Sequence, residues 1–222
     1  MRKAITFIRQ LGLTERQKGY GYLYNGYAIN LPPFAATGWH VPTETEYNTL
    51  RTALGGFSVA GGKMKEAGNA HWESPNTSAD NSSGFTGWGT GFRRHDDGEF
   101  SSLFRILQIW LQGNNYYSIT LAHTTGQAGL GVDSFPAAGR SVRLIKDTTT
   151  LSDGDKSTMT DIDGNIYNTI CIGTQEWTVE NWKCTKLNNG TALTKVTDNT
   201  TWKNAGGFSY YYCAFDNNET NI

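Results

Sequence analysis

The densest concentration of residues able to do recognition chemistry lies in the stretch 104–123, Phe-Arg-Ile-Leu-Gln-Ile-Trp-Leu-Gln-Gly-Asn-Asn-Tyr-Tyr-Ser-Ile-Thr-Leu-Ala-His. Arg105, Gln108, Trp110, Gln112, Asn114, Asn115, Tyr116, Tyr117 and His123 crowd into it. Indole and phenol rings supply large, stiff contact surfaces, and the neighbouring amides and guanidinium supply adaptable hydrogen bonds, a combination typical of recognition surfaces. The same stretch also reads as core, with Trp110, Ile119 and Leu121 on the inward face of a strand and the polar residues facing water. Both readings hold together if the two sets alternate along the strand. These residues are the candidate ligand contacts.

Catalytic and metal-binding chemistry finds less support. An EF-hand loop opening at Asp161 requires Gly at its sixth position and Glu at its twelfth, where this chain has Ile166 and Ile172, so Asp161-x-Asp163 reads as a turn. Asp96, Asp97 and Glu99 surround Gly98 and read as a solvated turn tip, not a carboxylate pair facing across a cleft. The glycine-rich run from Gly84 to Phe92 lacks the following Lys-Ser/Thr of a phosphate loop; its glycines are expected to let backbone approach large rings. His40 and His71 each adjoin a tryptophan, have no Ser or Cys partner at catalytic spacing, and are expected to be structural residues bonded to backbone. Cys171, Cys184 and Cys213 form no Cys-x-x-Cys pair, so buried free thiols are expected, with a Cys171–Cys184 disulfide as the alternative. The chain is read as non-enzymatic, with no catalytic residue, metal ligand or cofactor.

The elements that must position the 104–123 stretch are short. Thr43-Glu44-Thr45-Glu46 is a capping box; Tyr47, Leu50 and Leu54 recur on one helical face, and Gly55-Gly56 supplies the stop. A second short helix is expected over Gly62 to Ala67. Strands are expected at Ser118–Ala122, Ser141–Ile145, Ile166–Ile172 and Glu176–Glu180, with tight turns at Asp163-Gly164 and Asn189-Gly190. One or two helices flanking small twisted antiparallel sheets, with long loops, make an α+β fold. Composition agrees: 37% of the 222 residues are hydrophobic, yet there are 26 Gly, 11 Tyr, 10 Phe and 7 Trp, which suits an aromatic-cored, loop-rich fold.

Net charge is −1, with 19 basic and 20 acidic residues intermixed, so no basic stripe exists to engage nucleic acid. No apolar run approaches the roughly 18 to 20 residues that insert across a bilayer. Arg9 and Gln10 interrupt the apolar stretch after Arg2 and Lys3, and no classical signal peptide is expected. Residues 1–17 read as an N-terminal docking segment, a strand or short helix.

Several spaced blocks carry a resemblance: Gly38-Trp39-His40-Val41-Pro42-Thr43, Ala60-Gly61-Gly62-Lys63-Met64-Lys65-Glu66, Asp161-Ile162-Asp163-Gly164-Asn165-Ile166-Tyr167 and Ile172-Gly173-Thr174-Gln175-Glu176-Trp177. With Tyr20–Ala28 and Tyr212–Glu219 they closely resemble the Fibrobacter succinogenes major paralogous domain, a family of surface modules related to C-type lectin-like folds. In that family the Asp-Ile-Asp-Gly-Asn block comes first and the Gly-Trp-His-Val-Pro block in the middle; here the order is reversed. The resemblance implies that residues 18–146 are the later part of the module, closing on Gly139–Ile145 as its final strand. Residues 147–156 are then a linker and 157–222 the opening part, a C-type lectin-like fold circularly permuted or domain-swapped. Where the family has Trp-Trp-Ser-Ser, this chain has Trp110-Leu111-Gln112-Gly113.

The resemblance further implies a binding or display module for a cell-surface glycan or protein, with localisation at a virion surface, as in a phage fibre or receptor-binding component, or at the cell surface. A homo-oligomer, with a trimer favoured, goes with that reading. The alternative is a structural assembly protein whose swapped half-domains join subunits without an external ligand. Formylglycine-generating enzymes share a related fold but need a reactive cysteine pair in a cleft.

Overall fold

The computed structural model describes residues 19–132 and 135–222, so the docking segment expected at residues 1–17 lies outside the described chain. From the amino end the elements are strand β1 (Leu23–Asn25), helix α1 (Gly26–Ile29), β2 (Trp39–His40), α2 (Glu44–Ala53), α3 (Phe57–Met64), β3 (Thr90–Arg93), β4 (Phe100–Leu103), β5 (Ile106–Trp110), β6 (Ser118–Ala122) and β7 (Gly129–Gly131). There follow β8 (Gly139–Arg140), β9 (Ile145–Lys146), β10 (Lys156–Thr160), β11 (Ile166–Ile172), β12 (Gln175–Thr178), β13 (Thr194–Lys195), α4 (Asn199–Lys203) and β14 (Tyr211–Cys213). The architecture is α+β, mostly sheet with few helices. One sheet runs β13-β14-β1-β8-β3-β5-β6-β7, with β4 paired to β3, and the other runs β10-β11-β12-β9-β2. They are larger and more mixed than expected, since β3–β5 and β13–β14 are parallel pairs.

Local chemistry explains α2. Thr43 Oγ1 accepts the Glu46 N–H at 3.3 Å while Glu46 Oε2 accepts the Thr43 N–H at 2.7 Å, which satisfies two donors at the helix start. Tyr47 and Leu50 are fully buried, and Gly55 and Gly56 take the positive φ that ends the helix. The second helix is displaced from the expected 62–67. It runs from Phe57 to Met64 with Gly61 and Gly62 in its interior, where any Cβ would collide with the Gln127 and Ser78 carbonyl oxygens.

The strand expected over 141–145 is split. β8 belongs to the large sheet and β9 to the small one, and between them the chain crosses over. Arg143, buried at the crossing, donates to Phe85 O, to Thr86 O at 2.9 Å and to Asn181 Oδ1 at 3.0 Å. A buried guanidinium requires such acceptors, and these lie far away in sequence. The Asp161 turn forms as expected between β10 and β11. Asp161 Oδ1 accepts the Asp163 and Asn165 N–H groups at 2.9 Å, and Oδ2 accepts the Tyr167 hydroxyl at 2.7 Å.

Residues 157–222 do not stand apart. β1 lies between β14 and β8, and β9 lies between β12 and β2. One core cluster joins Tyr24, Trp110 and Val142 to Tyr167, Trp182 and Tyr212; another joins Tyr47, Leu107 and Ile119 to Ile170 and Trp177. The Tyr24 hydroxyl donates to Cys184 O at 2.8 Å, and Arg93, over the Trp202 ring at 4.3 Å, donates to Val196 O at 2.6 Å. Tyr20 N–H donates to Asn221 O at 2.8 Å, so the backbone at those two positions lies side by side.

His40 and His71 bond through their rings to carboxylates, not to backbone as expected. His71 Nδ1 is 2.9 Å from Glu66, and its ring stacks on Trp88. His40 lies between Asp147 at 2.6 Å and Glu46 at 2.8 Å. Burial lowers the His40 pKa, but the hydrogen bonds to Asp147 and Glu46 outweigh it and raise the value above 6.5. The three cysteines are free and buried, and burial pushes Cys184 and Cys213 up to about 12. Among the described residues no helix is long and apolar enough to cross a membrane.

Candidate functional site

β5 and β6 form a hairpin in which Ile106 faces Ala122 and Trp110 faces Ser118. β5 is also paired to β3 on its other edge. Leu107 and Ile109 enter one core cluster and Trp110 the other. Ile106 and Gln108 stay partly exposed while Leu107, Ile109 and Trp110 are buried, so the expected alternation holds over 106–109 and ends at Trp110, which is core. Trp110 is fully buried, its Nε1–H donates to Tyr24 O at 2.7 Å, and the Arg140 guanidinium lies 4.1 Å above its ring. Gln108 is occupied as well, accepting from Arg140 Nε at 3.0 Å. Trp110 is therefore part of the scaffold, and Gln108, partly exposed, has its amide oxygen held by Arg140.

Arg105 and His123 lie at the far end of the hairpin, about 16 Å from the 111–117 connection for a five-residue strand. Arg105 pairs with Glu73 at 2.8 Å, and the His123 Nδ1 meets Ser74 O at 3.2 Å. They do not join the other candidates.

The remaining five, Gln112, Asn114, Asn115, Tyr116 and Tyr117, converge with Thr43, Glu44 and Thr45 around a cleft of about 210 Å³. Its position follows from pairing that is remote in sequence. Gln112 forms a parallel bridge with Thr43, and its N–H donates to Pro42 O at 2.8 Å, which sets the loop against the first turn of α2. Leu111 N–H closes the loop on Tyr117 O at 2.9 Å. Asn30 holds the loop from outside, accepting the Gly113 N–H at 3.2 Å and donating to Gly113 O at 3.3 Å. Tyr116 takes a positive φ of 52° and packs over Gly26, where an added Cβ would lie 2.7 Å from the ring. Its ring centroid is 6.4 Å from those of Trp110 and Tyr27.

The loop is braced, but its recognition groups are not consumed. Asn114 and Asn115 are exposed at the tip. No polar side-chain atom of Gln112, Asn114, Asn115, Tyr116 or Tyr117 bonds to another described residue. The lining offers two phenols, three carboxamides, two threonine hydroxyls and the Glu44 carboxylate. Those groups match a ligand bearing hydroxyls or amides. The α2 contribution was missed in the sequence: the capping box marks Thr43 as a helix start, but no local signal shows which loop lies beside it.

Two other cavities hold none of the candidates. The larger, about 370 Å³, lies between Lys63, Ser83, Asp153 and Gly173. Some of its polar groups are already bonded within the protein, with Asp153 Oδ1 accepting the Gly173 N–H at 2.7 Å and Ser83 Oγ donating to Lys63 O at 2.8 Å. The smaller, about 140 Å³, is lined by Trp88, Val179 and Arg143 among others and is mainly apolar.

A family model for the Fibrobacter succinogenes major domain matches residues 3–146. The match starts ahead of Gly19, where the resemblance was read to begin, and it stops short of the Asp161 and Ile172 blocks. No curated protein and no solved structure matches the chain.

Proposed function

Because the chain belongs to the Fibrobacter succinogenes major domain family, we propose that it is a non-catalytic binding or display module whose contact site is the cleft between residues 112–117 and the first turn of α2. The observation that carries this reading is the combination of a loop fixed at both ends with side chains left unbonded. A site so arranged meets its ligand without an ordering cost. At about 210 Å³ the cleft is smaller than the roughly 300 Å³ at which pockets for drug-sized ligands begin. It therefore takes one sugar ring or one side chain of a larger surface ligand, with a Tyr116 or Tyr117 ring against the apolar face and the amides on the hydroxyls.

The C-type lectin-like relationship and the permuted order of the two parts belong to the same reading. The pairing of β1 with β14 and the cores shared across residue 147 support it. Display on a virion fibre or bacterial surface follows from the family resemblance. The test is an array of bacterial surface glycans probed with the wild type, an Asn114→Ala/Asn115→Ala variant and an Arg105→Ala/His123→Ala variant. Binding is expected to fall at least tenfold in the first variant and to persist in the second. A ligand kept at full affinity by the Asn114→Ala/Asn115→Ala protein removes the cleft from consideration.

A further inference from the structure

We propose that the cavity of about 370 Å³ at the end of α2 binds a small zwitterion, a free α-amino acid with an aliphatic side chain. Ala53 and Leu54 at the close of α2, Lys63 of α3, the 82–83 loop, the 153–154 turn and the end of β11 with Gly173 meet around it. Its volume falls within the roughly 300 to 1,000 Å³ of small-molecule sites, which the cleft at residues 112–117 does not reach.

Two of the lining residues carry charge, Lys63 and Asp153, and they do not pair with each other. Both are fixed in place. The Ser83 N–H at 3.3 Å and the Ser83 hydroxyl at 2.8 Å donate to Lys63 O. The Lys63 ammonium lies 3.7 Å from where a Cβ on Gly55 would sit, against the end of α2, and bonds to no described residue. Asp80 is near enough to feel that charge but forms no ion pair with it, and its Oδ1 accepts the Ser82 N–H at 2.9 Å. On the other side, Asp153 Oδ1 accepts the Gly173 N–H at 2.7 Å, and Gly173 packs on Ala53, whose Cβ is 3.2 Å from where a Cβ on Gly173 would sit. Asp153 Oδ2 accepts from no described residue. The two charges therefore flank the same end of α2, one beside Gly55 and the other beside Gly173.

That arrangement selects the ligand. A molecule filling the cavity strips water from both groups, and a desolvated charge without a partner is costly. A neutral ligand compensates neither charge, and a ligand with one charge leaves the other stranded. One small molecule carrying a carboxylate for Lys63 and an ammonium for Asp153 Oδ2 satisfies both through charge-assisted hydrogen bonds. Ala53, Leu54 and Ile172 supply an apolar wall for its side chain. A neutral sugar ring has neither charge, so the inference stands independently of the cleft at residues 112–117.

Amide chemical-shift titration of the full chain with L-leucine tests it, beside N-acetyl-L-leucine, which lacks the ammonium, and L-leucinamide, which lacks the carboxylate. L-leucine should perturb Lys63, Gly154 and Gly173 and bind about tenfold or more tighter than either analogue, the effect of one charged hydrogen bond left unmade. Lys63→Gln should abolish the preference over leucinamide and Asp153→Asn the preference over N-acetyl-leucine, with far-UV circular dichroism unchanged. Should a variant fail to fold, the comparison of analogues on the wild type decides alone. No perturbation at millimolar L-leucine, equal binding of the capped analogues, or a folded variant that keeps both preferences would each overturn the proposal.

Discussion

Replacing Trp110 by alanine separates a scaffold role from a contact role at the centre of the candidate segment. The side chain is fully buried, and removing a buried Trp or Phe ring costs about 3 to 5 kcal/mol from lost transfer energy and the cavity left behind. Two further losses accompany it. The Tyr24 carbonyl, which accepts Nε1–H at 2.7 Å, loses its donor at about 1 to 3 kcal/mol. The Arg140 guanidinium, 4.1 Å above the ring, loses a desolvated cation–π contact of about 2 kcal/mol. These overlap, since one side chain makes them all, so a total of about 5 kcal/mol is the expected loss. That is a large share of the roughly 5 to 15 kcal/mol that holds a typical domain folded. Trp110→Phe keeps most of the ring and should lose only about 1 to 2 kcal/mol. Urea denaturation followed by circular dichroism at neutral pH measures both. A Trp110→Ala protein within about 1 kcal/mol of wild type at an unchanged urea dependence would refute the placement of this ring in the core.

Lys65 is fully buried with its Nζ donating to Thr77 O, Ala122 O and Thr125 O at 2.8 to 3.0 Å. Lys65→Met relieves the buried charge, whose burial lowers the pKa to about 8, but it strands three carbonyls at about 1 to 3 kcal/mol each. The strandings should win by about 3 kcal/mol in urea denaturation, and a neutral or stabilising result would contradict the cage. His40, with a pKa raised by Asp147 and Glu46 against its burial, contributes stability that is full below about pH 6.5 and is lost as pH rises through the higher folded value. The gap in melting stability between wild type and His40→Gln should therefore shrink with rising pH, by under about 1 kcal/mol for a half-exposed network, and a gap that widens would reverse the assignment. The three buried thiols should resist iodoacetamide in the native state and react on unfolding; rapid native labelling of Cys184 or Cys213 would contradict their burial.

What was legible in the sequence was local. The Thr43 capping box and the Gly55-Gly56 stop are read and made within a few residues, and α2 forms between them. The Asp161 turn is likewise closed by its own neighbours. Ser118–Ala122 and Ile166–Ile172 alternate or run apolar over lengths that fit strands, and they are strands. Family membership was visible in the Gly38 and Ala60 blocks, which lie inside the matched residues. What escaped was decided at a distance. Trp110 reads equally well as a surface ring until the Tyr24 carbonyl and Arg140 are known to engage it within the core. Ser141–Ile145 reads as one strand until Arg143 finds its acceptors at Phe85, Thr86 and Asn181. The Thr43–Thr45 side of the cleft was hidden because the Thr43–Gln112 bridge joins segments with no local sign of one another.

The central claim is that recognition takes place at the 112–117 loop and the start of α2. Amide chemical-shift mapping on the isotopically labelled chain, titrated with the strongest glycan from the array, tests it most directly. The account predicts perturbations confined to Thr43–Thr45 and Gln112–Tyr117, with Arg105 and His123 at the far end of the hairpin unmoved. Perturbations gathered instead around Arg105 and His123, or around Lys63 and Asp153, would contradict it.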